Sequence, residues 1–292
     1  DMALAFALHY LESSHLARIT IYAEYLEKYP ATHEVEIFEN TSWSCFHGVE
    51  RWRNDCGCSS GTHPGWTQAW RASLRKAMDW LRDTLAPLYE REMAFYVQDP
   101  WQVRDEFIGV VLDRSIPNVE QFFARQAVRE LSREEKVKVL KLLEMQRHAL
   151  LMHTSCGWFF DEISGIEPIQ IIQYAARAMQ LAREVSGVEL EPAYLKILER
   201  APSNVPNLKT GARVYEMLVK PAMVDLLRVG AHYAMSSMFV EYPKVTKIYC
   251  YTVDREIYDR VESGKQKVAI GRVRLRSDIT WEERDLSFAV LH

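Results

Sequence analysis

The apolar periodicity of this 292-residue chain changes once, near Val245, and that change limits the folds open to it. Before it, apolar residues recur at three- and four-residue steps, the spacing of helices that bury one stripe. Trp66, Trp70, Leu74, Leu81, Leu85 and Leu88 mark one long helix, with Pro87 as a point where it could kink. Leu4, Leu8, Leu11, Ile19, Tyr22 and Leu26 predict a helix over 3–28, and shorter helices fall near 99–113 and 117–129. Ser132 with Glu135 has the spacing of a capping box and opens a helix reaching about Thr154. Ser164 with Glu167, and Pro168 in the first turn, open the next. Helical spacing returns near 191–200 and over 210–240, where Pro221 interrupts it. After Val245 the segments KIYCYTV, QKVAIGRVRLRS and DLSFAVL alternate or run apolar and are rich in β-branched residues, with DREIYDRVESG as a connection. EVEIF at 34–38 is a further short strand candidate. The expected fold is mainly α: a helical bundle over 1–242 followed by a small antiparallel β-sheet over 243–292 (α+β), the sheet being truncated.

A formal charge of −4 argues against a nucleic-acid binder, which would present a basic face. No apolar run reaches the roughly 18 residues of a membrane helix, and a charged start with a cleavage motif is missing, so neither a membrane nor a secretory signal is expected. Five cysteines are an odd number in a chain large enough to fold without staples, which points to a reducing compartment, the cytoplasm. Asp1 precedes Met2 inside a helical pattern, and LSFAVLH ends on an apolar strand. The expectation is a piece of a longer protein.

Residues 40–65 depart from this pattern. Asn40, Gly48, Asn54, Gly57, Gly61, Pro64 and Gly65 give turn chemistry, and a loop of that length is often functional. Cys45, Cys56 and Cys58 with His63, and Cys156 from elsewhere, offer thiolate and imidazole ligands of the kind zinc takes in a tetrahedron. Their spacing differs from the familiar zinc knuckles, and the plainer reading is reduced thiols packed as small hydrophobes. No other cofactor is called for. A thiol nucleophile, Cys156 beside His153 or Cys45 beside His47, is a weaker reading, because sequence neighbours rarely supply the geometry.

The second unusual segment is HTSCGWFFDEISG, 153–165, between two helices. Trp158, Phe159 and Phe160 cannot all enter one core from consecutive positions, so at least one faces a cleft or a neighbour. The charged pairs Arg51 and Arg53, and Glu134 and Glu135, read as solvated faces, and the Met and aromatic positions of GAHYAMSSMF as core.

NTSWSCFHGVERWRNDCGCSSGTHPGWTQAWR together with HTSCGWFFDEISG resembles the signature blocks of the domain of unknown function 3536. That domain follows the catalytic barrel in bacterial proteins similar to family-57 glycoside hydrolases. The resemblance implies an accessory helical domain that completes a carbohydrate-binding cleft, partnered by an upstream catalytic barrel of the same polypeptide and by a glycan. Trp43, Trp52, Trp158 and Phe159 would stack on pyranose rings. Arg51, Arg53, Asp55, Asp161 and Glu162 would bond hydroxyls. In such enzymes the two carboxyls of retaining hydrolysis belong to the barrel, so the resemblance implies no catalytic residue here, while the parent protein is a glycoside hydrolase or transglycosylase. The competing expectation is a structural module in which Cys45, Cys56, Cys58 and either His63 or Cys156 hold zinc.

Overall fold

The structure is a computed structural model describing residues 1–292. The chain divides into two compact units, Asp1–Thr41 and Ser42–His292. The first carries helices α1 (Met2–Ser13) and α2 (Tyr22–Lys28). The single helix expected over 3–28 is interrupted at 14–21, where His15 takes a left-handed φ of 54°. None of the unit's residues is buried, so packing does not hold the two halves in one helix. EVEIF forms no strand, having no paired neighbour.

In the second unit, α3 (Trp70–Met93) runs on through Pro87 and buries Trp70, Leu74, Met78, Leu81, Leu85 and Leu88 on one face. Asp99 caps α4 (Pro100–Glu106), its carboxylate accepting the amides of Trp101 and Gln102 at 3.0 and 3.1 Å. Helices α5 (Ile108–Leu112) and α6 (Ile116–Gln126) follow. The expected capping box opens α7 (Arg133–Leu151). The Glu135 amide donates to Ser132 Oγ at 3.3 Å, and the Ser132 amide donates to Glu135 Oε2 at 2.9 Å.

Helix α8 (Ile166–Ser186) starts one residue later than expected, with Gly165 and not Ser164 at its N-cap. The reason lies in Glu162, whose side chain accepts the Ser164 amide at 3.1 Å and whose carbonyl accepts the Gly165 amide at 3.0 Å. This local turn displaces the serine from the capping position. Helices α9 (Glu191–Leu198) and α10 (Gly211–Val214) come next, the latter running into a wider π turn, Tyr215–Val219, before Pro221 ends the run. Asp225 then caps α11 (Leu226–Ser236) through the Arg228 amide at 2.7 Å. One apolar core joins α3 with α7, α8 and α9, with Trp70, Leu81, Leu142, Ile172 and Tyr194 fully enclosed or nearly so. No helix is long and apolar enough to cross a membrane.

Strands β1 (Val245–Ile248), β2 (Tyr251–Ser263), β3 (Gln266–Ser277) and β4 (Glu283–Leu291) form an antiparallel meander in chain order. Most of DREIYDRVESG, expected as a connection, is the outer part of β2, paired to β3 as far as Ser263 with Gln266. Gly264, at a φ of 61°, makes the two-residue turn. This part of β2 is largely exposed, so no buried face imposes an apolar alternation that would mark it as strand. The inner halves of the strands bury Val253, Val273 and Leu275 against Leu226, Val229 and Tyr233 of α11.

Candidate metal centre

Residues 42–61 contain almost no regular structure, yet two small turns bring four ligand-type side chains together. In the first, Ser42 Oγ donates to the Gly48 carbonyl at 2.9 Å, enclosing Cys45 and His47. In the second, Asp55 accepts the Gly57 amide at 3.2 Å, and Gly57 takes a φ of 77°, a conformation side-chain-bearing residues avoid. That glycine reverses the chain between Cys56 and Cys58. A 3-10 turn, Glu50–Trp52, joins the two.

The ligand atoms of Cys45, His47, Cys56 and Cys58 all lie within 4.8 Å of one another. Cys45 Sγ is 3.7 Å from Cys56 Sγ, 3.8 Å from Cys58 Sγ and 3.9 Å from His47 Nδ1, and Cys58 Sγ is 3.6 Å from that nitrogen. A zinc tetrahedron with Zn–S bonds of ~2.3 Å has S–S edges of about 3.8 Å, and its S–N edges are roughly 3.5 Å. These four of the six edges fit that figure, and the other two are within 4.8 Å. They are much longer than the ~2.05 Å of a disulfide, and all five cysteines are free.

The two inner sulfurs differ in their electrostatics. Burial opposes ionisation of Cys45, but the backbone amides of His47 and Arg51 and the His47 ring outweigh it, bringing the thiol down to about 6. Burial pushes the Cys56 thiol up, even against the backbone amide of Cys58, and the neighbouring sulfurs add to the rise. In each pair, Cys45 with His47 and Cys56 with Cys58, the backbone two residues on favours the ionised form of the first sulfur.

The loop is tied to the corner between α7 and α8. Arg51, 6% exposed, donates from Nη1 to the Phe159 carbonyl at 2.8 Å, and its guanidinium lies 4.5 Å from the centre of the Phe159 ring. Trp52 Nε1 donates to the Ser155 carbonyl at 2.9 Å. Arg71, on α3 and fully buried, donates to the carbonyls of Cys58, Phe159 and Phe160 at 3.0, 3.1 and 3.0 Å. Burial pulls its guanidinium below the ordinary value and Arg51 adds to this, while Cys56, Asp161 and Asp55 act in the opposite direction. Ser60 is held by Asp161 through its amide and its hydroxyl. The Cys/Trp loop and the aromatic corner thus meet in space.

Several of the anticipated site residues have other duties. His63 stacks on Trp66, ring centres 3.9 Å apart, and Cys156 is exposed on the 3-10 turn Ser155–Trp158; neither is in the cluster. His47 stands there instead. The signal for it was the repeated one-residue spacing, Cys45-x-His47 and Cys56-x-Cys58. Cys56 and Cys58 are also only half-buried, which does not suit thiols packed purely as hydrophobes. His153 does not activate Cys156: its Nε2 pairs with Asp79 at 3.3 Å and its Nδ1 with the Ala149 carbonyl at 3.2 Å.

The residues expected to meet a sugar divide into two sets. Trp158 is 1% exposed and its Nε1 donates to the Arg71 carbonyl at 3.3 Å, so it offers no face to a ring. Asp161 and Glu162 are buried and diverge, Asp161 holding Ser60 and Glu162 holding Ser203 Oγ at 2.6 Å and the Asn204 amide at 2.7 Å. Arg51 and Asp161 spend their hydrogen bonds on joining the loop to the corner, and Glu162 spends its own on the turn at Ser203 and Asn204. Trp43, by contrast, is 94% exposed beside the half-buried Phe159, with ring centres 6.5 Å apart. Trp52 is half-buried, Arg53 and Asp55 are exposed, and Arg53 pairs with Glu50 at 3.6 Å.

No curated protein and no solved structure matches this chain. Residues 66–292 match the family model described as Domain of unknown function (DUF3536). The thiol cluster precedes that segment, while Arg71, Phe159 and Asp161, which anchor its loop, lie within it. With more than half of its length matched, the chain belongs to the DUF3536 family.

Proposed function

We propose that Cys45, His47, Cys56 and Cys58 form a structural zinc centre that clamps the 42–61 loop onto the corner between α7 and α8. The observation that carries this reading is the set of ligand separations: four of the six edges are 3.6 to 3.9 Å, the lengths of a zinc tetrahedron, and all four ligand atoms lie within 4.8 Å of one another. Four protein ligands close the coordination shell and leave no position for substrate, so the role is structural rather than catalytic. Three thiolates, a neutral imidazole and a divalent ion carry a net negative charge. The buried guanidiniums of Arg51 and Arg71 beside the loop complement it. Purified protein treated with a strong chelator should melt on the order of 10 °C lower, and added zinc should restore it. An unchanged melting temperature would remove the structural role.

A second reading keeps the loop as one wall of a carbohydrate cleft beside a family-57-like barrel. Its support is Trp43, a tryptophan left 94% exposed next to Phe159. Trp43→Ala should then weaken retention of the full-length protein on immobilised glycan by about tenfold without lowering the melting temperature. Equal retention would discard this reading and leave the zinc centre untouched.

A further inference from the structure

We propose that a cavity of about 720 Å³ between the helical bundle and the sheet is a binding site for a small phosphate-bearing molecule. Its volume falls within the usual range of ligand sites. Five cationic side chains line it, Arg114, Arg133, Lys136, Lys247 and Arg276, against the carboxylates of Glu120 and Asp278. They come from four separate places in the chain: the segment before α6, the start of α7, β1 and β3. Convergence from distant segments is what distinguishes a site from a charged stripe along one helix.

The local carboxylates do not neutralise these cations one for one. Asp278 serves both Lys247 at 3.1 Å and Arg276 at 3.7 Å, and also accepts from Thr252 Oγ1 at 2.8 Å. Glu144, 2% exposed behind the wall, serves Arg114 at 2.5 Å and Arg147 at 3.4 Å. Lys136 pairs with Glu120 at 2.6 Å, and Arg133 pairs with Glu283. The five cations thus share four carboxylates, Asp278, Glu144, Glu120 and Glu283, which leaves the lining net positive. Three of the five cations are arginines, whose forked donors suit the several oxygens of a phosphate better than a single carboxylate does. The first turn of α6, at Ser115 and Ile116, also lies on the wall. Trp281 completes it, held at a φ of 59°, a left-handed conformation that a bulky residue rarely adopts.

The test is calorimetric titration of the whole chain with inorganic pyrophosphate, with citrate as a polyanion of another class. The expected result is saturable pyrophosphate binding that weakens with salt, and citrate binding about tenfold weaker. The double variant K247Q/R276Q should lose about tenfold or more in pyrophosphate affinity, while K265Q at the β2–β3 turn stays within about twofold. If circular dichroism shows that the double variant is unfolded, K136Q on the opposite wall takes its place with the same expectation. No pyrophosphate binding by the native chain, equal binding of citrate, or full affinity in a folded pocket variant would each overturn the assignment.

Discussion

Ser60 and Asp161 lie 101 residues apart and form one of the closest attachments of the loop to the helical body. The Ser60 amide donates to both oxygens of the Asp161 carboxylate, at 2.9 and 3.0 Å, and its hydroxyl donates to Oδ2. Cys58 is two residues before this anchor, so the position of the sulfurs depends on a carboxylate in the corner between α7 and α8.

Asp161→Ala should leave the Ser60 amide unpaired in a partly buried position and cost about 1–3 kcal/mol of stability. Because it frees one arm of the loop, it should also weaken zinc retention in competition with a chromogenic chelator. Denaturant unfolding and the competition titration check the two effects separately.

Gly157→Ala tests how tightly the corner is packed. A Cβ there would fall 2.2 Å from Ile171 Cδ1, 2.7 Å from Cγ1 and 2.9 Å from Cγ2, and Ile171 is 1% exposed. The expected cost is about 1–3 kcal/mol from overpacking. In combination with Ile171→Ala the loss should be smaller than the sum of the single losses, which thermal unfolding of the double-mutant cycle can measure.

Ser132→Ala removes one arm of the α7 capping box and should cost ~1 kcal/mol, read as a shift in the denaturant midpoint. Metal content should not change, since α7's first turn is not among the loop's hydrogen-bonded anchors.

Much of the fold was legible in the sequence, for identifiable reasons. The Ser132–Glu135 box, the Leu stripe of α3 and the change of period near Val245 are local signals backed by burial, and each gave the element it implied. Legibility failed where burial was missing. DREIYDRVES pairs as strand with most of its side chains exposed, and residues 3–28, with nothing buried, form two helices and not one. Ser164 lost its capping role to a turn made by Glu162, which no pattern of types at fixed spacing reveals. At the site, three cysteines were visible, but His47 was passed over for His63. The repeated one-residue spacing, Cys45-x-His47 and Cys56-x-Cys58, was the signal that separates the two imidazoles. Trp158, Asp161 and Glu162 resemble ligand contacts because polar and aromatic residues rarely cluster without purpose, yet their partners lie within the chain: Trp158 bonds α3, Asp161 holds the loop and Glu162 holds the turn at Asn204.

His148 should make stability fall in mild acid. Burial pushes its imidazole below the usual value, and the nearby Glu144 only partly offsets this. The unfolded chain therefore binds a proton that the native chain does not, between the unfolded value near 6.5 and the lower native one. Stability is full above that window and is lost as pH falls through it. His148→Gln should flatten the decline in melting temperature between pH 7.5 and 5.5 relative to the native chain; parallel curves would mean that His148 contributes nothing to it.

The zinc content of the purified chain, measured by mass spectrometry of the elements beside three variants, tests the centre most directly. The account predicts about one zinc per chain in the native protein, near none in Cys45→Ser, and full content in both Cys156→Ser and His63→Ala. A native protein without metal, or a Cys45→Ser variant that keeps its zinc, would contradict it.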